Sequence, residues 1–142
     1  MGCAVSLFSL LDQAAARFPD RGAVYRGTEQ VSTWAELRGR ALGLAGSIRA
    51  SLGPGARVAV ATENCPEIVE LMNGIWAAEC VFVPLNYKLY PREMADILAD
   101  SGAEIVFASA KIAAGLEPVA GVPITVIGSD SYAAQVNSTP WQ

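Results

Sequence analysis

The chain has no histidine among its 142 residues. That removes imidazole general bases, His-containing nucleophile triads and imidazole metal ligands from anything it does with its own side chains. Cysteine is scarce: Cys3, Cys65 and Cys80 are odd in number, widely spaced and without a CxxC pair. They describe no disulfide framework, which points to a reducing compartment, the cytoplasm. Positive charge is also thin. Ten Lys and Arg against fourteen Asp and Glu leave a net charge of −4, and the basic residues stand singly. A protein that tracks a nucleic-acid backbone needs a clustered basic face, so nucleic acid is excluded as a partner. Long apolar runs are missing too, because Glu70, Asn73 and Glu79 interrupt the best stretch short of the roughly 18 residues of a membrane span. Neither GxGxxG nor GxxxxGK[ST] occurs. Gly53-Pro54-Gly55 precedes a strand, whereas a phosphate loop follows a strand and opens a helix, so it reads as a turn.

What is present is a half-hydrophobic chain (52 %) with 17 % charged residues, fewer than the quarter or so of an ordinary soluble domain. Such a balance suits a buried parallel sheet, or a piece of a larger protein with a surface normally covered. The clearest stretch is Arg57 to Pro91, which reads as one βαβ unit. Residues 57–61 are a short apolar strand of the kind buried on both faces. Asn64, Pro66 and Glu67 predict a helix start with an Asn-x-x-Glu capping box. Ile68, Leu71, Met72, Ile75 and Trp76 then form a stripe for packing on a sheet. Val81 to Val83 is the second strand, ended by Pro84.

The rest of the chain falls into order around that unit. Leu7 to Phe18 has helical periodicity; residues 23–25 and 30–32 predict a hairpin across Gly27-Thr28; Thr33 and Glu36 form a capping box for a helix ending at Gly53. After the unit come a helix from Pro91 to Gly102, a strand over 104–107, a weak helix over 111–116 and a strand over 124–127. Strand–helix alternation predicts an α/β fold, doubly wound, with a mainly parallel sheet and helices on both faces. Residues 1–128 read as this α/β subdomain and residues 129–142 as a polar tail or linker without an element of its own. At the start, Met1-Gly2-Cys3-Ala4-Val5-Ser6 fits an N-myristoylation pattern, with Cys3 placed for a second acyl chain; Ser6 equally suits the cap of the first helix.

Two loops lie where parallel sheets bind ligands, at strand carboxyl ends. Thr62-Glu63-Asn64 is explained by helix capping. Residues 84–91, with Asn86, Tyr87, Lys88 and Tyr90, offer aromatics, an amide and a cation that line a pocket or merely bridge two prolines with the tyrosines packed on the sheet rim. Asp96 and Asp100 lie i, i+4 on a helix and face solvent, while Glu79 needs either an exposed position or a partner. No residue is assigned a catalytic, cofactor-binding or metal-binding role.

Taken in sequence, Thr33-Trp34-Ala35-Glu36-Leu37, Arg57-Val58-Ala59-Val60 with Asn64-x-x-Glu67, Val81-Phe82-Val83-Pro84-Leu85-Asn86, Pro91-Arg92-Glu93 and Asp100-Ser101-Gly102-Ala103 resemble the N-terminal part of the AMP-forming acyl-CoA synthetases. These belong to the adenylate-forming superfamily, and the likeness runs from about Leu7 to Ser109. The wording around residues 88–93 is most similar to bacterial fatty-acid–CoA ligases. The resemblance implies ATP, coenzyme A and Mg²⁺ as cofactors and a fatty or other carboxylic acid as substrate, activated as an acyl-adenylate and passed to the coenzyme A thiol. The family's phosphate loop, adenine motif, ribose-binding aspartate and catalytic lysine match no position in this sequence, so the chain alone is expected to be inactive and to self-associate through surface the remainder would cover. One departure stands out: where the family usually has Gly-Ala before the Val-Phe-Val-Pro strand, this chain has Glu79-Cys80. The other reading of the sequence is a self-standing, non-enzymatic α/β binding or interaction module.

Overall fold

A computed structural model describes residues 6–142. The acylation pattern at Gly2 and Cys3 lies outside the described residues. The chain opens with α1 (Phe8–Arg17), where the Ser6 hydroxyl accepts from the Phe8 N–H at 3.2 Å. The hairpin follows as β1 (Gly22–Arg26) and β2 (Glu29–Thr33), antiparallel and turning at Gly27. Thr33 caps α2 (Trp34–Ser51) as its sequence dictates: Thr33 Oγ1 accepts from the Glu36 N–H and Glu36 Oε2 accepts from the Thr33 N–H at 2.9 Å.

The sheet is built from β3 (Arg57–Ala61), β4 (Val81–Pro84), β5 (Ile105–Ala108) and β6 (Ile124–Val126), all parallel, in the order β4-β3-β5-β6. The crossovers are α3 (Glu67–Ala77), α4 (Pro91–Ser101), which stops at Gly102 with φ 70°, and α5 (Ala110–Leu116). Side-chain alternation sorts the core into two layers. Val58, Val60 and Phe107 face α2 and α3, packing on Leu44, Ile48, Leu71 and Ile75. Ala59, Ala61, Val106 and Ala108 face α4 and α5, packing on Met94, Leu98 and Leu116. This is the doubly wound α/β arrangement, with helices on both faces. A third, smaller cluster of Leu11, Val24, Leu37 and Ala41 seats α1 and the hairpin on α2.

Two expectations are corrected. Asn64 does not cap α3; the helix begins at Glu67 with Pro66 as its boundary residue and no side-chain cap. The reason is local, since a residue preceding proline is disfavoured in helical conformation, and this keeps Cys65 out of the first turn that an Asn64 cap would require. The segment expected to be a featureless tail contains α6 (Asp130–Val136), capped by Ser129, whose hydroxyl accepts from the Tyr132 N–H. Tyr132 and Val136 are buried in the same layer as Phe107.

What holds that last segment is the surface of α2. A Cβ at Gly43 would lie 1.8 Å from the Val136 carbonyl oxygen, and one at Gly46 would lie 1.9 Å from that of Thr139. Only glycine permits so close an approach. Ser138 Oγ donates to the Gly43 carbonyl at 2.6 Å, the Trp141 N–H donates to the Leu42 carbonyl, and the Arg49 guanidinium lies 4.9 Å from the Trp141 ring centroid. Residues 129–141 are therefore strapped across α2.

Candidate functional site

Going from β3 to β4 the chain moves one way across the sheet; going on to β5 it returns to the other side of β3. This reversal puts a topological switch point between the carboxyl ends of β3 and β5, where open parallel sheets bind ligands. The side chains there are Thr62, Glu63 and Asn64 after β3, and Ser109 and Lys111 after β5. The Ser109 N–H donates to the Ala61 carbonyl, which fixes the two loops against each other at 3.1 Å. Glu63 is held below the usual carboxylate range, first by its own backbone N–H, then by the Ser109 hydroxyl and the Lys111 ammonium. Ser109 Oγ is buried beside the Glu63 carboxylate, near enough to favour its charge but outside strict hydrogen-bond geometry with every described group. The Glu63 carboxylate next to it is held too acidic to take its proton, so that hydroxyl is not an activated nucleophile.

The loop over residues 84–91 leaves the same edge of the sheet, beside β3. Asn86 Oδ1 accepts from the Lys88 N–H at 3.0 Å in a side-chain-closed turn, and Glu93 Oε2 accepts from the Tyr90 N–H at 2.8 Å. Tyr87 and Tyr90 are exposed, Tyr90 to 77 %, so they do not pack on the sheet rim. Lys88 Nζ lies 5.9 Å from the Tyr87 ring centroid. Asp96 and Asp100 are exposed, as their spacing on α4 predicts. Glu79 is exposed at 63 % of its side chain and lies 4.0 Å from Arg49.

The donor set at this edge does not fit a triphosphate or its metal. Among the described residues no three His, Cys, Asp or Glu side chains gather into a group able to hold a metal ion. Glu63, the amides of Asn64 and Asn86, and Lys88 and Lys111 follow three different strands and make no phosphate cradle, so none of these side chains is assigned a step with ATP, coenzyme A or Mg²⁺.

Sequence reasoning missed a buried ionic network that joins α2, α3 and α6. Glu70, 5 % exposed on α3, takes two hydrogen bonds from the Arg40 guanidinium of α2, Nε to Oε2 at 2.5 Å and Nη2 to Oε1 at 2.9 Å. Tyr132 of α6 donates its hydroxyl to the same Oε1 at 2.5 Å. Burial, the Glu70 charge and the hydrogen bond to it push the Tyr132 phenol well above its ordinary value. The Arg40 guanidinium is pushed up in turn, mainly by its bond to Glu70. Spacings of 30 and 62 residues give this triad no local signature. Tyr132 and Val136 at i, i+4 behind Ser129 are the visible trace of α6.

Comparison with known proteins places the fold. The family model for AMP-binding enzymes matches residues 11–140. A feruloyl-CoA synthase from an Amycolatopsis species is 38 % identical over 92 residues, covering 64 % of this chain and 19 % of that protein. The long-chain-fatty-acid–CoA ligase of Salmonella typhimurium is 32 % identical over 116 residues, or 80 % of this chain and 20 % of that protein. The solved fatty acyl CoA synthetase of Mycobacterium tuberculosis superposes with a TM-score of 0.83 at 28 % identity, over 95 % of this chain and 28 % of that one. The chain thus spans about a fifth of the length of these two curated relatives. No helix among the described residues is long and apolar enough to cross a membrane. On these matches and on its doubly wound parallel sheet, the chain belongs to the AMP-binding enzymes, the adenylate-forming family, whose N-terminal part it resembles from α1 to the strap.

Proposed function

We propose that this chain is the N-terminal part of a cytoplasmic acyl-CoA ligase that activates a fatty or other carboxylic acid with ATP. The observation that carries the reading is the family match across residues 11–140, joined to relatives whose names are CoA ligases and synthases of carboxylic acids. In that reaction a carboxylate oxygen attacks the α-phosphorus of ATP and pyrophosphate leaves. The coenzyme A thiol then attacks the acyl carbon, and AMP leaves with the C–O electron pair. Mg²⁺ would neutralise the phosphate charge that develops in the first step.

The role assigned to this chain is scaffold. Its switch-point groups are a restrained carboxylate and a hydroxyl that this weakly basic neighbour does not activate, which hold a polar group but do not drive adenylation. The chain alone, given ATP, palmitate and coenzyme A, is expected to form no acyl-CoA, whereas the longer protein that contains it forms acyl-CoA and pyrophosphate. Turnover by the 142-residue chain would refute the scaffold role; failure of the longer protein with both palmitate and ferulate would refute the ligase. Self-association of the isolated chain, read by light scattering, is expected from its exposed apolar residues, among them Val81 on the edge strand β4.

A further inference from the structure

Arg49 on α2 keeps only 17 % of its side chain exposed, yet its Nε and Nη1 are buried without a hydrogen-bond partner among the described residues. Its third nitrogen, Nη2, lies 4.0 Å from Glu79 Oε2, too far for a hydrogen bond. The Trp141 ring covers the guanidinium at 4.9 Å and answers part of the charge, but a π face gives the N–H edges no lone pair. Buried donors are nearly always satisfied, and a charged one costs most when it is not. Stacking on an aromatic ring also fixes the guanidinium plane, which holds arginine ready for a planar oxyanion. The two bidentate approaches to that plane, Nε with Nη2 and Nη1 with Nη2, share the corner turned toward Glu79.

Glu79 also lines a groove of about 280 Å³ between α1, α2, the end of α3 and the last residues of the strap. Phe8, Leu42, Trp76 and Trp141 give that groove an apolar wall. Arg38 and Asp12 on the same wall are already matched, to each other, at 2.6 Å. A groove with two indoles, next to a guanidinium that lacks an acceptor, has the two parts of a site for a small amphiphilic anion.

We infer that this groove binds a small carboxylate with an apolar body, the carboxylate on the Arg49 edge that Glu79 approaches and the body against Trp76 and Trp141. Glu79 is then the chain's own weak occupant of the anion position. Its side chain is mostly exposed, so it turns away at little cost when a ligand enters. The site is separate from the ligase reading and does not rest on it.

The test is titration of the whole chain with hexanoate, with acetate as the head alone and 1-hexanol as the uncharged body. The readout is the indole N–H chemical shifts of Trp76 and Trp141, with Trp34 at the other end of α2 as the unmoved reference. Hexanoate is expected to bind saturably and to shift the first two indoles only, with acetate and 1-hexanol each weaker. Arg49→Gln is expected to weaken hexanoate about tenfold, since it removes a charge-assisted bidentate pair. Glu79→Gln removes the competing carboxylate and is expected to tighten binding about threefold. Absence of saturable hexanoate binding, equal binding of acetate or of 1-hexanol, an Arg49→Gln variant that binds unchanged, or a Glu79→Gln variant that binds more weakly would each overturn the proposal. The acetate and hexanol comparisons use the unaltered protein and so stand even where a variant fails to fold.

Discussion

The hydroxyl of Tyr132 on α6 donates to the buried carboxylate of Glu70 on α3 at 2.5 Å, across 62 residues of chain. Because Glu70 is also the anchor for Arg40, this one bond ties the strap to the helix pair that backs the sheet. A hydrogen bond to a buried charge is worth about 1.5–3 kcal/mol. Tyr132→Phe keeps the ring against Phe107 and deletes only the bond, so it should lower unfolding stability by about 2 kcal/mol with an unchanged urea m-value. A loss under about 0.5 kcal/mol would mean that Arg40 alone satisfies Glu70.

The same phenol gives a pH signature. Its value is raised in the fold, so the protonated form is the stabilised one. The contribution is fully present below the unfolded phenol's value of about 10 and is lost as pH rises beyond it toward the folded value. Above about pH 10 the unfolded chain releases this proton while the folded one keeps it, and stability falls by about 1.4 kcal/mol per pH unit from this group. Cys65 and Cys80, both raised by burial, add the same sign of slope from about pH 9. Denaturant titrations from about pH 7 to about pH 11 should therefore show the gap between the parent and Tyr132→Phe constant to about pH 10 and narrowing above it. A gap that widens would contradict the assignment.

Three glycines on one helix make a graded test of the strap. Gly39 has nothing within 4 Å of an added Cβ, so Gly39→Ala should gain about 0.5–1 kcal/mol from helix propensity alone. At Gly43 and Gly46 the same methyl would meet the Val136 and Thr139 carbonyl oxygens at 1.8 and 1.9 Å, and backbone cannot yield as a flexible side chain does. Gly43→Ala should cost about 3 kcal/mol or displace residues 136–141, which protease sensitivity of that segment would report. If Gly43→Ala stabilises like Gly39→Ala, the strap is not seated on α2.

Much of the fold can be read locally because its signals are local. The Thr33–Glu36 box, the Gly27 turn, the apolar run of β3 and the αL stop at Gly102 each lie within a few residues, and each forms where its chemistry predicts. Asn64 misleads because its capping pattern overlaps a proline two residues on, which bars Cys65 from helix. Residues 129–141 are illegible for a different reason. A seven-residue helix has little stability of its own, and its partners, Glu70, Gly43 and Leu42, are distant in sequence. The glycines of α2 carry the clue, since three in one helix weaken it unless something approaches closely. The switch point follows from strand order alone, but the restrained Glu63 and the unpaired Ser109 hydroxyl need coordinates.

Glu79 is the residue where the family likeness and the structure explain each other. It follows α3 with φ 60°, the left-handed region, and is the one non-glycine described residue there. The glycine usual at this position therefore answers a backbone demand rather than a need for close helix–strand packing, because a side chain in that region costs about 1–2 kcal/mol. Its carbonyl accepts from the Gly55 N–H at 2.8 Å, which holds the turn before β3 and keeps the strain in place. Glu79→Gly relieves the strain and gives back roughly 0.5–1 kcal/mol in chain entropy. The Arg49 contact it forfeits is long and exposed and is worth less than about 1 kcal/mol. The balance is a gain of about 0.5 kcal/mol in unfolding stability. Glu79→Ala separates the causes: it loses the same ion pair but keeps the strained φ, so it should gain nothing. Equal stabilities for the Gly and Ala variants would show that the backbone at this corner is not strained, and that the side chain alone distinguishes Glu79 from the family's glycine.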